Sequence, residues 1–166
     1  MKVLKFGGTS VGSEKNIKQV ISILNDYSEK DNVIAVVSAV GGITNKLLKA
    51  GELAKIQNLE YVSVYEEIHG THIELIKALI PNNNDEIVNN TISNLQSLKQ
   101  LLDGIYLIHE ISPSTTDKLS SYGELLSSQI IAEAMRYQKL DAQVKNSQEL
   151  IVTDDTHTKA EVNYAL

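Results

Sequence analysis

The 166-residue chain contains no cysteine, which excludes disulfides and thiolate-ligated metals. It has no excess of positive charge either: 15 Lys and Arg stand against 21 Asp and Glu, a formal net charge of −6. A nucleic-acid footprint needs a basic face, so no nucleic-acid partner is expected. A local anion site needs only a few focused donors and stays open. No apolar run approaches the roughly 18 residues of a membrane span. Lys2 and Lys5 interrupt the start, where a secretory leader would carry its apolar stretch. The expectation is a cytoplasmic protein without a membrane contact. Several chemical signatures are missing as well. No Gly-Lys-Ser/Thr follows a glycine loop at P-loop spacing, and no Gly-x-Gly-x-x-Gly dinucleotide pattern occurs. No serine–histidine–acid set or carboxylate dyad stands out. His69 and His72 share a helix face, but no third metal ligand has suitable spacing, so a structural role is expected for them. His109 and His157 are isolated and read as surface or structural residues. No metal ligand is assigned.

What is present is an ordinary globular composition, 42% apolar and 22% charged, in a length that buries one sizeable core. Val3-Leu4-Lys5-Phe6 reads as a strand that breaks into Gly7-Gly8-Thr9-Ser10. Ser13 then caps a helix whose Ile17, Val20, Ile21 and Leu24 recur at i, i+3, i+4 and i+7. Val33 to Val37 is a continuous β-branched run, expected as a strand buried on both faces. Strand, helix and strand make a βαβ unit with parallel strands. The glycine-rich turn and the helix start suit an anion, because exposed N–H groups and the helix dipole converge there. Lys5 in a strand expected to be buried is costly unless something anionic meets it.

The second strand also ends in a small-residue loop, Ser38 to Asn45, with Thr44 or Asn45 expected to cap the next helix. Ligands of open α/β sheets sit beyond the carboxyl ends of the strands, so both loops should line one crevice. Two long helices follow. The first carries Val62 to Ile80 and stops at Pro81 and Asn82-Asn83-Asn84; the second carries Val88 to Leu102 and stops near Asp103-Gly104. They read as an αα hairpin. Ser112-Pro113 opens another long helix to about Gln138, in which Glu124 is the lone charge between Leu119 and Ala132. Gly123 lets a neighbour come close to it. Ala142-Gln143-Val144 and Leu150-Ile151-Val152 read as short strands, and Lys159 to Leu166 as the start of a helix.

Three of these stretches together resemble the aspartokinases of the amino acid kinase family. They are Lys5-Phe6-Gly7-Gly8-Thr9-Ser10-Val11, Ser38-Ala39-x-x-Gly42-Ile43-Thr44-Asn45 and Ser121-Tyr122-Gly123-Glu124-Leu125-Leu126-Ser127. Leu102-Asp103-Gly104-Ile105, read as a helix connection, adds a likeness to the fused aspartokinase–homoserine dehydrogenases. The resemblance implies a three-layer α/β/α, carbamate kinase-like fold, here incomplete: a mainly parallel sheet with a helical hairpin insertion. Residues 1–166 would be the amino-acid-substrate half of a catalytic domain, without its nucleotide-binding half or regulatory domains, and inactive as a fragment. The implied reaction moves the ATP γ-phosphoryl group to the side-chain carboxylate of L-aspartate, the entry to lysine, threonine and methionine synthesis.

In that reading Lys5 is catalytic and, with Gly7, Gly8, Thr9 and Ser10, holds the ATP phosphates. Ser38 and Thr44 orient aspartate, Glu124 takes its ammonium, and Lys159 takes a carboxylate. Lys159 stands where the family has arginine, and Asn163 where some members have an acidic residue. A lysine is a point charge without arginine's bidentate fork. Mg²⁺ would arrive with ATP, and the implied assembly is a homodimer. The alternatives are a same-fold enzyme acting on another carboxylate or a nucleotide, and a non-catalytic binding or assembly module.

Overall fold

In the computed structural model, which describes residues 1–82 and 85–164, the chain folds as β1 (Lys2–Phe6), α1 (Glu14–Ser28), β2 (Val33–Val37), α2 (Ile43–Lys55), α3 (Glu60–Leu79), α4 (Asp85–Ile108) and α5 (Pro113–Tyr137). The strands pair in parallel, in register from Lys2 against Val33 to Phe6 against Val37. They form a two-stranded sheet among the described residues. Helix α1 is the crossover. Ser13 caps it by accepting from the Asn16 N–H, and its buried stripe is the expected Ile17, Val20, Ile21 and Leu24.

The period of two along each strand separates two faces. Leu4, Phe6, Val33 and Val37 pack against the core. On the other face Val3 is 62% exposed, and Ile34 and Val36 are each 47% exposed. The expectation of a strand buried on both faces therefore fails, and so does the premise about Lys5, whose side chain is exposed. A parallel strand is buried twice only when helices cover both sides. Here they cover one.

The main core lies among α2 to α5, through fully buried Leu47, Ile68, Ile76, Leu95, Leu98 and Leu126. Helices α3 and α4 form the αα hairpin, with α2 and α5 packed against it. At the end remote from its turn, the Tyr61 hydroxyl donates to Asp103 Oδ1 at 2.6 Å and the Tyr61 and Tyr106 rings lie 5.4 Å apart. Asn83 and Asn84 of the expected turn lie outside the described residues. Helix α4 runs on past Gly104 to Ile108, so Leu102-Asp103-Gly104-Ile105 is helix interior rather than a connection. Buried Leu102 and Ile105 continue its apolar stripe and outweigh the glycine. Helix α5 starts as expected: Ser112 accepts from the Thr115 N–H and Pro113 occupies the first turn.

The end of the described chain departs from expectation. Ala142–Val144 and Leu150–Val152 are not strands, and Lys159–Tyr164 is not helical; residues 165 and 166 lie outside the described set. A strand needs a ladder partner, and neither edge of the β1–β2 sheet takes these segments. One antiparallel bridge, Thr153 to Val162, closes a loop instead.

Candidate functional site

The carboxyl ends of β1 and β2 bring the two glycine-rich loops into contact, as the topology predicts. A Cβ on Gly12 would lie 3.0 Å from the Gly8 carbonyl oxygen, and one on Gly41 would lie 3.3 Å from that same oxygen. The backbones cross where only glycine fits. Inside the first loop, the N–H groups of Ser10 and Val11 donate to Gly7 O, and that of Gly12 donates to Thr9 O. Asn16 Nδ2 reaches back from α1 to Thr9 O at 2.7 Å and fixes the turn. The N–H groups of Gly7, Gly8 and Thr9 have no acceptor among the described residues. Successive N–H groups without a partner at a strand end are the kind of donors an anion takes. Ser10 is half-buried beside them.

The second loop is clasped by α5. The Ser127 hydroxyl donates to Ser38 O at 2.7 Å, and Glu124 Oε1 accepts from the Ala39 N–H at 3.3 Å. Gly123 immediately precedes Glu124 on the helix. A Cβ there would stand 2.7 Å from the Ala39 Cβ. The glycine is therefore what lets the loop reach the helix, and Glu124, exposed at its end, is fixed over Ser38 and Ala39. The Ser38 hydroxyl takes part in no hydrogen bond among the described residues; its N–H donates to Phe6 O at 3.1 Å.

Thr44 does not cap α2. Gly42, with φ of 81°, occupies the N-cap position, and no side chain caps that helix. A left-handed residue turns the chain into the helix at least two positions earlier than expected, so Thr44 and Asn45 fall within the first turn. The Thr44 hydroxyl is thereby left unspent and half-buried beside an uncapped helix start. Uncapped N–H groups there carry partial positive charge.

Lys5 lies two residues before Gly7 of the first loop, opposite Val36 on the uncovered sheet face. It forms no ion pair among the described residues, so its ammonium is available at the loop's edge. Lys159 is elsewhere. It belongs to the exposed loop closed by the Thr153–Val162 bridge, where its own N–H donates to Thr156 O. Asn163 N–H donates to Val152 O in the same closure. The structure therefore gathers Gly7–Ser10, Ser38, Thr44 and Glu124 around one edge with Lys5 beside it, and carries Lys159 on a separate segment.

Sequence reasoning overlooked three supports: Asn16, Ser127 and Asp117. Ser127 had a legible signal, one helical turn after Glu124 on the same face. Asn16 and Asp117 had none, since their partners are fixed by loop paths.

Among the described residues no group of three or more His, Asp or Glu side chains is placed to hold a metal ion. His72 is fully buried, with Nδ1 2.7 Å from Ile68 O and Nε2 without a partner. Burial is the main cause that pushes its pKa down. His157 pairs with Asp117 at 3.3 Å. Two cavities, of about 570 Å³ between α4 and α5 and about 500 Å³ beside α1, touch neither glycine loop. The loop site is an open edge. It offers donors to an anion, a carboxylate to a cation, and two hydroxyls between them.

No described helix is long and apolar enough to cross a membrane. The family model described as "Amino acid kinase family" matches residues 1–164. Aspartokinase 1, chloroplastic, of Arabidopsis thaliana is 38% identical over 158 residues, which cover 92% of this chain and 27% of that protein. The crystal structure of E. coli aspartokinase III in complex with lysine and aspartate superposes with a TM-score of 0.87 at 28% identity, covering 97% of this chain and 34% of that one. The same enzyme in complex with aspartate and ADP gives a TM-score of 0.83 at 29% identity. The chain thus spans between about a quarter and a third of these relatives' own length. With the parallel βαβ unit, the paired glycine loops and the α5 clasp laid over the same stretch, the chain belongs to the amino acid kinase family.

Proposed function

We propose that residues 1–166 form the amino-acid-substrate half of an aspartate kinase, which moves the γ-phosphoryl group of ATP to the side-chain carboxylate of L-aspartate. The single observation that carries this reading is the α5 clasp. It holds the Glu124 carboxylate on the Ala39 N–H and Ser127 on the Ser38 carbonyl, in the loop that also meets Gly8 of the first loop. An amino acid presents an ammonium and a carboxylate close together, and this edge offers each an opposite charge. The solved relatives in complex with aspartate, and with ADP, accord with the same substrates here.

Phosphoryl transfer asks little covalent chemistry of a protein; positioning and charge stabilisation supply most of the acceleration. The N–H groups of Gly7, Gly8 and Thr9, with the Ser10 hydroxyl, donate to phosphate oxygens. The Lys5 ammonium offsets negative charge on the transferred group. Glu124 accepts from the aspartate ammonium, while Ser38 and Thr44 orient its carboxylates. The carboxylate oxygen bonds to phosphorus as the bond to the bridging oxygen of ADP breaks, and ADP leaves with that electron pair. A magnesium ion, when bound with ATP, supplies further neutralisation of phosphate charge. The described residues provide no cage of acidic side chains for it, so phosphates and water would be its ligands.

Isothermal titration with L-aspartate tests the site. The wild-type chain should bind aspartate, and Glu124→Ala should weaken binding roughly 10- to 100-fold, the worth of a hydrogen bond between charged groups. Acetylglutamate or a nucleoside monophosphate binding in preference to aspartate would overturn the reading in favour of another member of the fold.

A further inference from the structure

One side chain outside the first loop reaches into it. Gly7 and Gly8 carry no side chain and Thr9 is exposed, so no side chain of residues 7–9 is packed into the fold. Two successive glycines also leave the backbone its widest choice of conformations. The loop's own bonds close it on itself: Ser10 N–H to Gly7 O at 2.9 Å, Val11 N–H to Gly7 O at 3.3 Å and Gly12 N–H to Thr9 O at 3.4 Å. A shorter bond, 2.7 Å, comes from outside, where Asn16 Nδ2 donates to Thr9 O. Asn16 belongs to α1, whose Ile17, Val20 and Ile21 are buried, so this donor has a fixed base.

The residue type at position 16 carries the argument further. Ser13 is the N-cap and its hydroxyl accepts from the Asn16 N–H at 3.3 Å. Asn16 is therefore third in the helix, where a capping box carries Glu or Gln, and the helix dipole favours carboxylates in that first turn. A carboxylate at 16 could only accept. It would meet Thr9 O with no proton to give, and it would set a negative charge beside the Gly7, Gly8 and Thr9 N–H groups, which have no acceptor among the described residues. A carboxamide of the same shape donates and brings no charge. The acid of this turn is Glu14 instead, and Lys18 pairs with it at 2.6 Å. Position 16 thus supplies an uncharged donor to the loop where the helix start alone would favour an acid.

We propose that Asn16 is a positioning residue: by donating to Thr9 O it keeps the Gly7-Gly8-Thr9 backbone in one conformation before a ligand arrives, ready to donate its N–H groups to the oxygens of a phosphate-type anion. Donors ordered in advance stabilise charge without reorganising when it arrives, whereas a glycine pair ordered only on binding weakens affinity by the cost of that ordering. Asn16 acts through the Thr9 carbonyl rather than by contact with the anion. The identity of the anion rests on the phosphoryl-transfer reading of the site; the restraint on the loop does not.

The test uses the full chain as wild type, Asn16→Ala and Asn16→Asp at neutral pH. Backbone ¹⁵N relaxation reads the restraint without ligand. Order parameters of Gly8 and Thr9 should lie near the rigid value of about 0.85 in wild type and fall toward about 0.6 in both variants. Aspartate keeps the shape of asparagine but cannot donate, so a loop as ordered in Asn16→Asp as in wild type would sink the donor argument. Titration with inorganic pyrophosphate, followed at the Gly7, Gly8 and Thr9 amide resonances, reads the consequence. Binding should weaken about fivefold in Asn16→Ala, the worth of one hydrogen bond. The urea midpoint of Asn16→Ala should stay near that of wild type, because alanine is the better helix former and offsets the lost bond; a merely structural role would move the midpoint and leave the affinity alone. Unchanged order parameters in Asn16→Ala overturn the proposal, as does a loosened loop that binds pyrophosphate as tightly as wild type. A wild-type loop that takes up no pyrophosphate, yet loosens in Asn16→Ala, removes the phosphoryl reading and supports the restraint.

Discussion

Replacing Gly123 by alanine puts a methyl carbon 2.7 Å from the Ala39 Cβ, with Leu47 Cδ1 at 3.5 Å and Ile43 Cγ2 at 3.7 Å. Carbon atoms pack best about 3.5–4.0 Å apart, so the gap is short by about 1 Å. Neither methyl can rotate away, since each is bonded directly to backbone. Helix α5 and the Ser38–Gly42 loop must separate instead. Overpacking of this kind costs about 1–3 kcal/mol, whereas alanine for glycine inside a helix gains about 1 kcal/mol.

The same substitution has built-in controls. Gly70 in α3 and Gly104 in α4 have nothing within 4 Å of an added Cβ. Gly70→Ala and Gly104→Ala should therefore be more stable than wild type by up to about 1 kcal/mol. Gly51→Ala meets Leu119 Cδ1 at 2.7 Å and Ile111 Cδ1 at 3.1 Å. Those are the ends of rotatable side chains, so its cost should fall between the two extremes. In urea unfolding followed by circular dichroism, Gly123→Ala should lie about 1–3 kcal/mol below Gly70→Ala at unchanged m. Aspartate affinity should drop in Gly123→Ala alone, because the shift pulls Glu124 off the Ala39 N–H. A Gly123→Ala chain as stable as Gly70→Ala would refute the packing argument.

The remaining expectations concern other parts of the fold. His72 is buried and neutral with its pKa pushed down, so as pH falls through the ordinary histidine value the unfolded chain takes a proton that the folded chain resists, and stability falls. The urea midpoint should thus decline below about pH 6.5 in wild type and less so in His72→Phe; parallel declines would rule His72 out as the cause. Tyr61→Phe removes the 2.6 Å bond to Asp103 and should cost about 1 kcal/mol in the same unfolding assay. The Tyr61 phenol is pushed up to about 12, mainly by burial and then by Asp103, so wild type should lose stability above about pH 10 through this group, and Tyr61→Phe should not. Ser127→Ala deletes the 2.7 Å bond to Ser38 O. It should loosen the second loop, read as faster amide exchange at Ala39 and Val40, with a stability loss of about 1 kcal/mol.

Much of this architecture is legible in the chain as written. The period of Ile17, Val20, Ile21 and Leu24 specifies which side of α1 faces inward, and Ser13 and Ser112-Pro113 specify where two helices begin, because periodicity and capping are settled by neighbours a few residues away. The two glycine loops and the Gly123-Glu124 step could be singled out for the same reason: small residues at strand and helix contacts mark close approach. Burial and pairing are not local. Val33 to Val37 reads as twice-buried, yet only the packing of the helices decides that Ile34 and Val36 stay exposed. Leu150-Ile151-Val152 has strand-like residues, but a strand exists only where another edge accepts its hydrogen bonds, and none does among the described residues. Thr44 looks like a cap until Gly42 takes a left-handed conformation. The sequence by itself determined the two loops, the lone carboxylate of α5 and the helices that carry them. Tertiary structure alone decided that Ser127 and Glu124 grip the second loop, and that Asp117 holds the segment of Lys159. Those contacts join residues more than 40 positions apart, and no local pattern encodes them.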